Sequence, residues 1–145
     1  MTAELTFVDA NVLLYAHDRS AGSKHEVARE LLSRLWGSRS GVLSTQVLQE
    51  FYVNATRKLP RPMSASAARR IVARYSNWPV HHIRPADIIA ASELEKRHRL
   101  SFWDALVIIS AVRAGAANLA TEDLQHGRQI AGLVVLNPFV VEATA

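Results

Sequence analysis

Leu5-Thr6-Phe7-Val8-Asp9-Ala10-Asn11-Val12-Leu13 is the stretch on which the architecture turns. Leu5, Phe7 and Val8 read as a short buried strand that runs directly into a polar turn at Asp9. Asn11 to His17 follows as a helical turn with Val12, Leu13 and Tyr15 facing inward. The same alternation recurs outward along the chain. Ser23 to Trp36 reads as a helix opened by a Ser23/Glu26 capping box, with Val27, Leu31, Leu32 and Leu35 at helical spacing and Gly37 as its stop. Gly41 to Ser44 is a second strand, and a helix from Ser44 or Thr45 runs to about Lys58, ahead of Pro60 and Pro62. Ser64 to Tyr75 is helical, with Ile71, Val72 and Tyr75 on its apolar side and Arg69, Arg70 and Arg74 outside.

Val80 to Ile83 gives a third strand, and Pro85 sits at the first position of a helix reaching Arg97 or His98. Ser101 to Ala114 is a further helix closed by Gly115; Asn118 to Thr121 and Leu133 to Leu136 are strands four and five. Short strands alternating with helices predict an α/β fold: a five-stranded parallel sheet sandwiched between helices, in a single domain. There is no internal repeat, low-complexity tract or linker.

Composition narrows the chemistry. The 145 residues suffice for one domain with one core. With no cysteine, disulfides, zinc–thiolate sites and thiol nucleophiles are excluded. No basic stretch followed by an apolar run opens the chain, and the run from Ala105 to Val112 is too short for a bilayer, so a cytoplasmic protein without membrane contact is expected. The net charge is +4, and among the 17 bases only Lys24, Lys58 and Lys96 are lysines. Arginine donates two parallel hydrogen bonds to phosphate. Arg69, Arg70 and Arg74 could grip RNA phosphates or form a solvated face.

Ligands of an open parallel sheet bind beyond the carboxyl ends of its strands. Asp9 ends strand one, and Asp123 lies past strand four beside Glu122. Glu50 and Asp104 interrupt the apolar runs Val47-Leu48 to Phe51-Tyr52 and Phe102-Trp103 to Ala105-Leu106-Val107. Burying a carboxylate among such residues is costly unless it is paired or bound to a cation. Each acid also has a bland reading: Asp9 as a helix cap, Asp104 in a Ser101-x-x-Asp box, Glu50 paired with Arg57, Glu122 and Asp123 as turn residues. Together they suggest one shared cation site, and oxygen-only ligands suit Mg²⁺ or Mn²⁺. Such ions, one or two, could activate water for an in-line displacement.

The stretches Phe7 to Leu13, Leu43 to Phe51, Leu100 to Leu106 and Leu119 to Gln125 resemble, in order, those of PIN-domain nucleases, and more narrowly the VapC toxins of bacterial toxin–antitoxin pairs. The resemblance implies a PIN-like fold with Asp9, Glu50, Asp104 and Asp123 as catalytic metal-site acids. It implies supporting hydrogen bonds from Asn11 and Thr121; Glu122, beside Asp123, could share or replace its role. It further implies an Mg/Mn-dependent endoribonuclease that hydrolyses structured RNA (tRNA or rRNA). The implied partners are a VapB-like antitoxin across the acidic site and a homodimer or toxin–antitoxin hetero-oligomer. Trp36, Tyr52 and Trp78 are aromatic candidates for a partner groove, each with a core reading beside it.

His81 and His82 alternate across a strand and point to opposite faces, which does not make a metal site. The competing function is a non-catalytic PIN-like module that binds RNA or protein; retention of all four acids argues against it. A phosphoacceptor domain would want a lysine near the last strand, and an aspartate phosphatase an Asp-x-Asp where Asn11 stands.

Overall fold

The computed structural model describes residues 4–140. Its elements in chain order are β1 (Thr6–Val8), α1 (Ala10–Ala16), a 3₁₀ turn (Arg19–Ala21), α2 (Ser23–Ser38), β2 (Gly41–Ser44), α3 (Thr45–Arg57), α4 (Ala65–Tyr75) and β3 (Val80–His81). They continue as α5 (Pro85–His98), α6 (Phe102–Arg113), β4 (Asn118–Ala120), β5 (Gln129–Ile130) and β6 (Leu133–Leu136). The sheet order is β3-β2-β1-β4-β6-β5. Every neighbouring pair is parallel except the edge pair β5–β6, which is antiparallel.

The expected five parallel strands are therefore present, and the correction is a sixth, antiparallel one. Its cause is a two-residue hairpin: Ala131 and Gly132, between Ile130 and Leu133, both hold positive φ (53° and 83°), as a type I′ turn requires. Ala-Gly is a weak version of the Asn-Gly signal, so the turn leaves little mark on the sequence.

The helix ends show why the elements begin where they do. Ser44, Ser64 and Ser101 each accept a hydrogen bond from the backbone N–H three residues on, at 3.2, 3.1 and 3.1 Å. The Ser23/Glu26 box does not form. Ser23 is already inside α2, Gly22 occupies the cap position, and no side chain caps it. Nor does Gly37 stop that helix, which continues to Ser38 and ends at Arg39 in the left-handed conformation (φ 55°).

The chain steps from β1 through β2 to β3 in one direction and returns to β4 on the other side of β1. Right-handed crossovers then place α1–α4 on one face of the sheet and α5–α6 on the other. Consistently, α6 lies against β2, β3, β4 and β6 with α5 packed on it, while α1, α2, α3 and α4 pack together. On the α1–α4 side, Trp36, Tyr75 and Trp78 form an aromatic nest with ring centroids 5.1–5.4 Å apart. His17 joins it, its Nε2 2.9 Å from the Tyr75 hydroxyl. Trp36 and Trp78 thus belong to the core or its edge, whereas Tyr52 lines an apolar groove between α3 and α4 with Leu48, Val53 and Val72.

Candidate active site

Because β1 is central and its two neighbours are reached by connections of opposite sense, the carboxyl end of β1 is the switch point, where open sheets of this kind bind their ligands. Asp9 is the first residue beyond β1 and caps α1. Its Oδ1 accepts from the Ala10 N–H at 2.7 Å and its Oδ2 from the Thr121 hydroxyl at 2.8 Å. The cap reading of Asp9 therefore holds, and its second oxygen is held toward the loop after β4. Thr121 Oγ1 in turn accepts from the Asp123 N–H at 3.1 Å, so one hydroxyl fixes the first acid and the loop that carries the last.

Asp9 is only 5% exposed. Burial pushes its carboxyl up to about 7, opposed by the Thr121 and Ala10 hydrogen bonds and assisted by the charges of Asp123 and Glu50. Asp123, at the rim, is raised by partial withdrawal from water and then by Asp104, Glu122 and Glu50, while the Asn11 amide lowers it. These mutual repulsions run among Asp9, Glu50, Asp104 and Asp123, the four acids drawn from β1, α3, α6 and the loop after β4.

The hydrogen-bond partners of these carboxylates are neutral. Asn11 Nδ2 donates to Asp123 Oδ2 at 3.0 Å, and Gln46 Nε2 donates to Glu50 Oε1 at 3.0 Å. Asp104, in the first turn of α6, has its backbone N–H on Ser101, and its carboxylate has no partner among the described residues. No ion pair among the described residues reaches any of the four. Glu50 does not pair with Arg57.

Glu122 behaves differently from Asp123. It accepts from the Tyr15 hydroxyl at 2.7 Å and from Lys24 Nζ at 2.8 Å, tying the β4 loop to α1 and α2. Its charge is neutralised there, so it is a clip beside the four acids rather than a fifth open carboxylate. The sequence reasoning passed over Tyr15, Lys24 and Gln46 in these roles. The Gln46–Glu50 pair was visible as an i, i+4 spacing on one helix face.

The donor set suits a hard divalent cation: four carboxylates without a base and the buried Asn11 Oδ1, which has no hydrogen-bond partner. As the side chains stand, however, no three acids or histidines among the described residues are gathered closely enough to hold one ion. Side-chain rotation at the more open members, Glu50, Asp104 and Asp123, would have to bring them in. His81 takes no part: its Nε2 lies 2.8 Å from Asp87 Oδ2, and His82 is exposed.

Residues 6–131 match the family described as PIN domain. The chain belongs to the PIN-domain family. Among solved structures, this PIN domain is similar to Mycobacterium tuberculosis VapC20, described as a sarcin-ricin loop cleaving toxin. The identity is 25%, the TM-score 0.62, and the match covers 81% of this chain and 91% of that one. It shares its fold with a toxin–antitoxin complex from Klebsiella pneumoniae (18% identity, TM-score 0.68, covering 94% and 99%). A further likeness is VapBC2 from Rickettsia felis bound to a DNA fragment from its promoter (14%, 0.63, 90% and 96%). No curated protein sequence gives a significant match.

Proposed function

We propose that this PIN domain is a divalent-metal-dependent endoribonuclease acting as the toxin of a toxin–antitoxin pair. The observation that carries the reading is the set of four acids, Asp9, Glu50, Asp104 and Asp123, which repel one another at the carboxyl end of a parallel sheet with no base paired to any of them. Asp9, buried and repelled by Asp123 and Glu50, is costly as an anion unless a cation offsets its charge. VapC20 lends support as a similar protein that cleaves the sarcin-ricin loop.

On this reading Asp9, Glu50, Asp104 and Asp123 would hold Mg²⁺ or Mn²⁺, which would supply Lewis acidity toward phosphate oxygens and acidify water. The chain's own residues do the positioning. Thr121 and the Ala10 N–H lock both oxygens of Asp9, and Asn11 orients Asp123. Gln46 holds Glu50, and the Tyr15–Glu122–Lys24 clip fixes the loop carrying Asp123. Water attacks the phosphorus and the 3′-oxygen leaves, giving 5′-phosphate and 3′-hydroxyl ends. A 2′,3′-cyclic phosphate end would exclude this route.

A VapB-like antitoxin is the proposed partner, since two of the similar structures are toxin–antitoxin complexes. The apolar groove between α3 and α4, lined by Leu48, Tyr52, Val53 and Val72, is a surface on which such a chain could lie beside the acids. A homodimer is proposed on Ile88 and Ile89 of α5, which are 47% and 62% exposed. No helix among the described residues is long and apolar enough to cross a membrane, and a toxin acting on RNA would work in the cytoplasm.

The test is incubation of antitoxin-free protein with total RNA in Mg²⁺, Mn²⁺ or EDTA, beside Asp9→Asn and Asp104→Asn. Discrete fragments that need metal and vanish in both variants support the reading. Robust cleavage by either folded variant removes the site assignment. No cleavage by a folded, partner-free sample in any metal leaves the non-catalytic binding module as the reading.

A further inference from the structure

Trp103 is 62% exposed although it stands one residue before Asp104, on an otherwise apolar helix. Tryptophan brings a large apolar surface, and leaving it in water beside a reactive site needs a reason. The other two tryptophans show the contrast, since Trp78 is in the core and Trp36 is packed against it. Phe102 meets Trp103 in a T-shaped contact with centroids 5.3 Å apart, which braces the indole without covering it.

Trp103 forms one wall of a cleft of about 390 Å³ between α3 and α6. Gln46, Gln49, Glu50, Val53, Asn54 and Lys58 line the rest, so the cleft opens onto one of the four site acids. Gln46, Gln49 and Asn54 contribute amides, the side chains that read nucleobase edges by paired donor and acceptor atoms. Gln46 supplies a specific vacancy. Its Nε2 is spent on Glu50, and its Oε1 is buried with no hydrogen-bond partner. A buried acceptor of this kind calls for a donor from outside. Lys58 makes no ion pair among the described residues and stays available to a phosphate.

We propose that Trp103 is a stacking platform for one unpaired nucleobase of the RNA, held beside the scissile phosphate. Gln49, Asn54 and the open Gln46 oxygen meet its edge, and Lys58 meets a flanking phosphate. The inference rests on the ribonuclease reading and adds its substrate chemistry: the cut lies next to a splayed-out base, as in a loop or bulge. A base inside an RNA helix is already stacked and cannot engage the ring. A protein partner is the less favoured occupant: the cleft shares Gln49 and Val53 with the α3–α4 groove, but Gln46, Asn54 and Lys58 stand around Trp103 on this side, whereas Leu48, Tyr52 and Val72 make the groove's other wall chiefly apolar.

The experiment uses the full chain carrying Asp9→Asn, with Mg²⁺ present, titrated with short single-stranded RNA. Tryptophan emission should be quenched through Trp103, and Trp103→Phe should remove that quench while keeping most of the affinity. Trp103→Ala should weaken binding about 5- to 150-fold, the range for loss of one stacked base. An abasic nucleotide at the stacked position should weaken binding similarly and add nothing on top of Trp103→Ala, a coupling that a merely structural role would not produce. Affinity unchanged in folded Trp103→Ala overturns the proposal, as does an effect confined to antitoxin binding.

The two readings fail separately. A chain with its native Asp9 that does not cut RNA, yet loses RNA binding with Trp103→Ala, removes the nuclease and keeps the platform. Normal cleavage and binding by Trp103→Ala, with Asp9 intact, removes the platform alone.

Discussion

Asp9→Asn should make the metal-free protein more stable, and the gain should depend on pH. In the folded chain the Asp9 carboxyl sits at about 7 against an ordinary value of 3.8, chiefly because it is buried, with Asp123 and Glu50 adding repulsion. Between those two values the native state holds a proton that the unfolded state has released. Stability of the parent protein therefore falls as pH rises from about 4 to about 7 and is flat above that. The full displacement corresponds to roughly 4 kcal/mol, and side-chain relaxation and water entry reduce it, so a loss of about 2–4 kcal/mol is expected. Asparagine carries no charge, can keep the Ala10 bond, and leaves the Thr121 hydroxyl free to turn and accept, at a cost of about 1 kcal/mol. Urea unfolding in EDTA should then show Asp9→Asn close to or slightly below the parent at pH 5 and above it by at least about 1 kcal/mol at pH 8. Saturating Mg²⁺ at pH 8 should recover the parent, by about 2.7 kcal/mol at a hundredfold excess over Kd, and leave the variant almost unmoved. A difference between the two proteins that does not change from pH 5 to pH 8 would refute the reasoning.

His17 titrates in the opposite sense. Burial, with the charges of Arg74 and His25, lowers it from 6.5 to about 4, so stability is lost as pH falls through that interval; His17→Gln should flatten the acid limb of a Tm-versus-pH curve by about 1–3 kcal/mol. Gly41 lies in β2 against the Trp78 ring, where a Cβ would overlap the indole. Gly41→Ala should cost about 1–3 kcal/mol in denaturant unfolding, and pairing it with Trp78→Leu should recover part of the loss. Asp87 is buried, which raises its carboxyl, but the Arg84 N–H, His81 and Arg113 outweigh burial and hold it below the usual range. Asp87→Asn should cost about 1–3 kcal/mol at pH 7, and the cost should vanish as acid protonates the parent carboxyl.

Much of this was legible in the chain because its signals are local. Serine caps at Ser44, Ser64 and Ser101 and the apolar periodicity of the helices fix element type without tertiary knowledge. The acids at strand ends or inside apolar helices stand out because a charge among large apolar residues has few explanations. What escaped depends on backbone conformation or on distant partners. The β5–β6 hairpin rests on two positive φ values at Ala131 and Gly132. The start of α2 moved because Gly22, not Ser23, takes the cap. Asp87 reads as an ordinary first-turn acid, and nothing nearby in sequence reveals that Arg113 approaches it at 3.3 Å.

The disposition of the remaining acids bears on the proposed chemistry. Glu26 meets Arg29, Asp87 meets His81 and Arg113, and Glu122 meets Lys24 and Tyr15. Asp18 is consumed by the turn it caps, through Ser20. Glu4, Glu30, Glu93 and Glu95 also lack an ion pair among the described residues, but water reaches them, whereas this arginine-rich chain leaves the buried Asp9 without a base and brings none to Glu50, Asp104 or Asp123. The contrast is sharpest across one peptide bond, where Glu122 is neutralised by Lys24 and hydrogen-bonded by Tyr15 while Asp123 receives only an amide. A fold selected for stability alone would not keep that difference, since a lysine in reach of Asp9 would remove the penalty its burial imposes. On the ribonuclease reading the omission has a purpose: an internal base would compete for the carboxylates with the cation, and the penalty carried by Asp9 is released when the cation arrives.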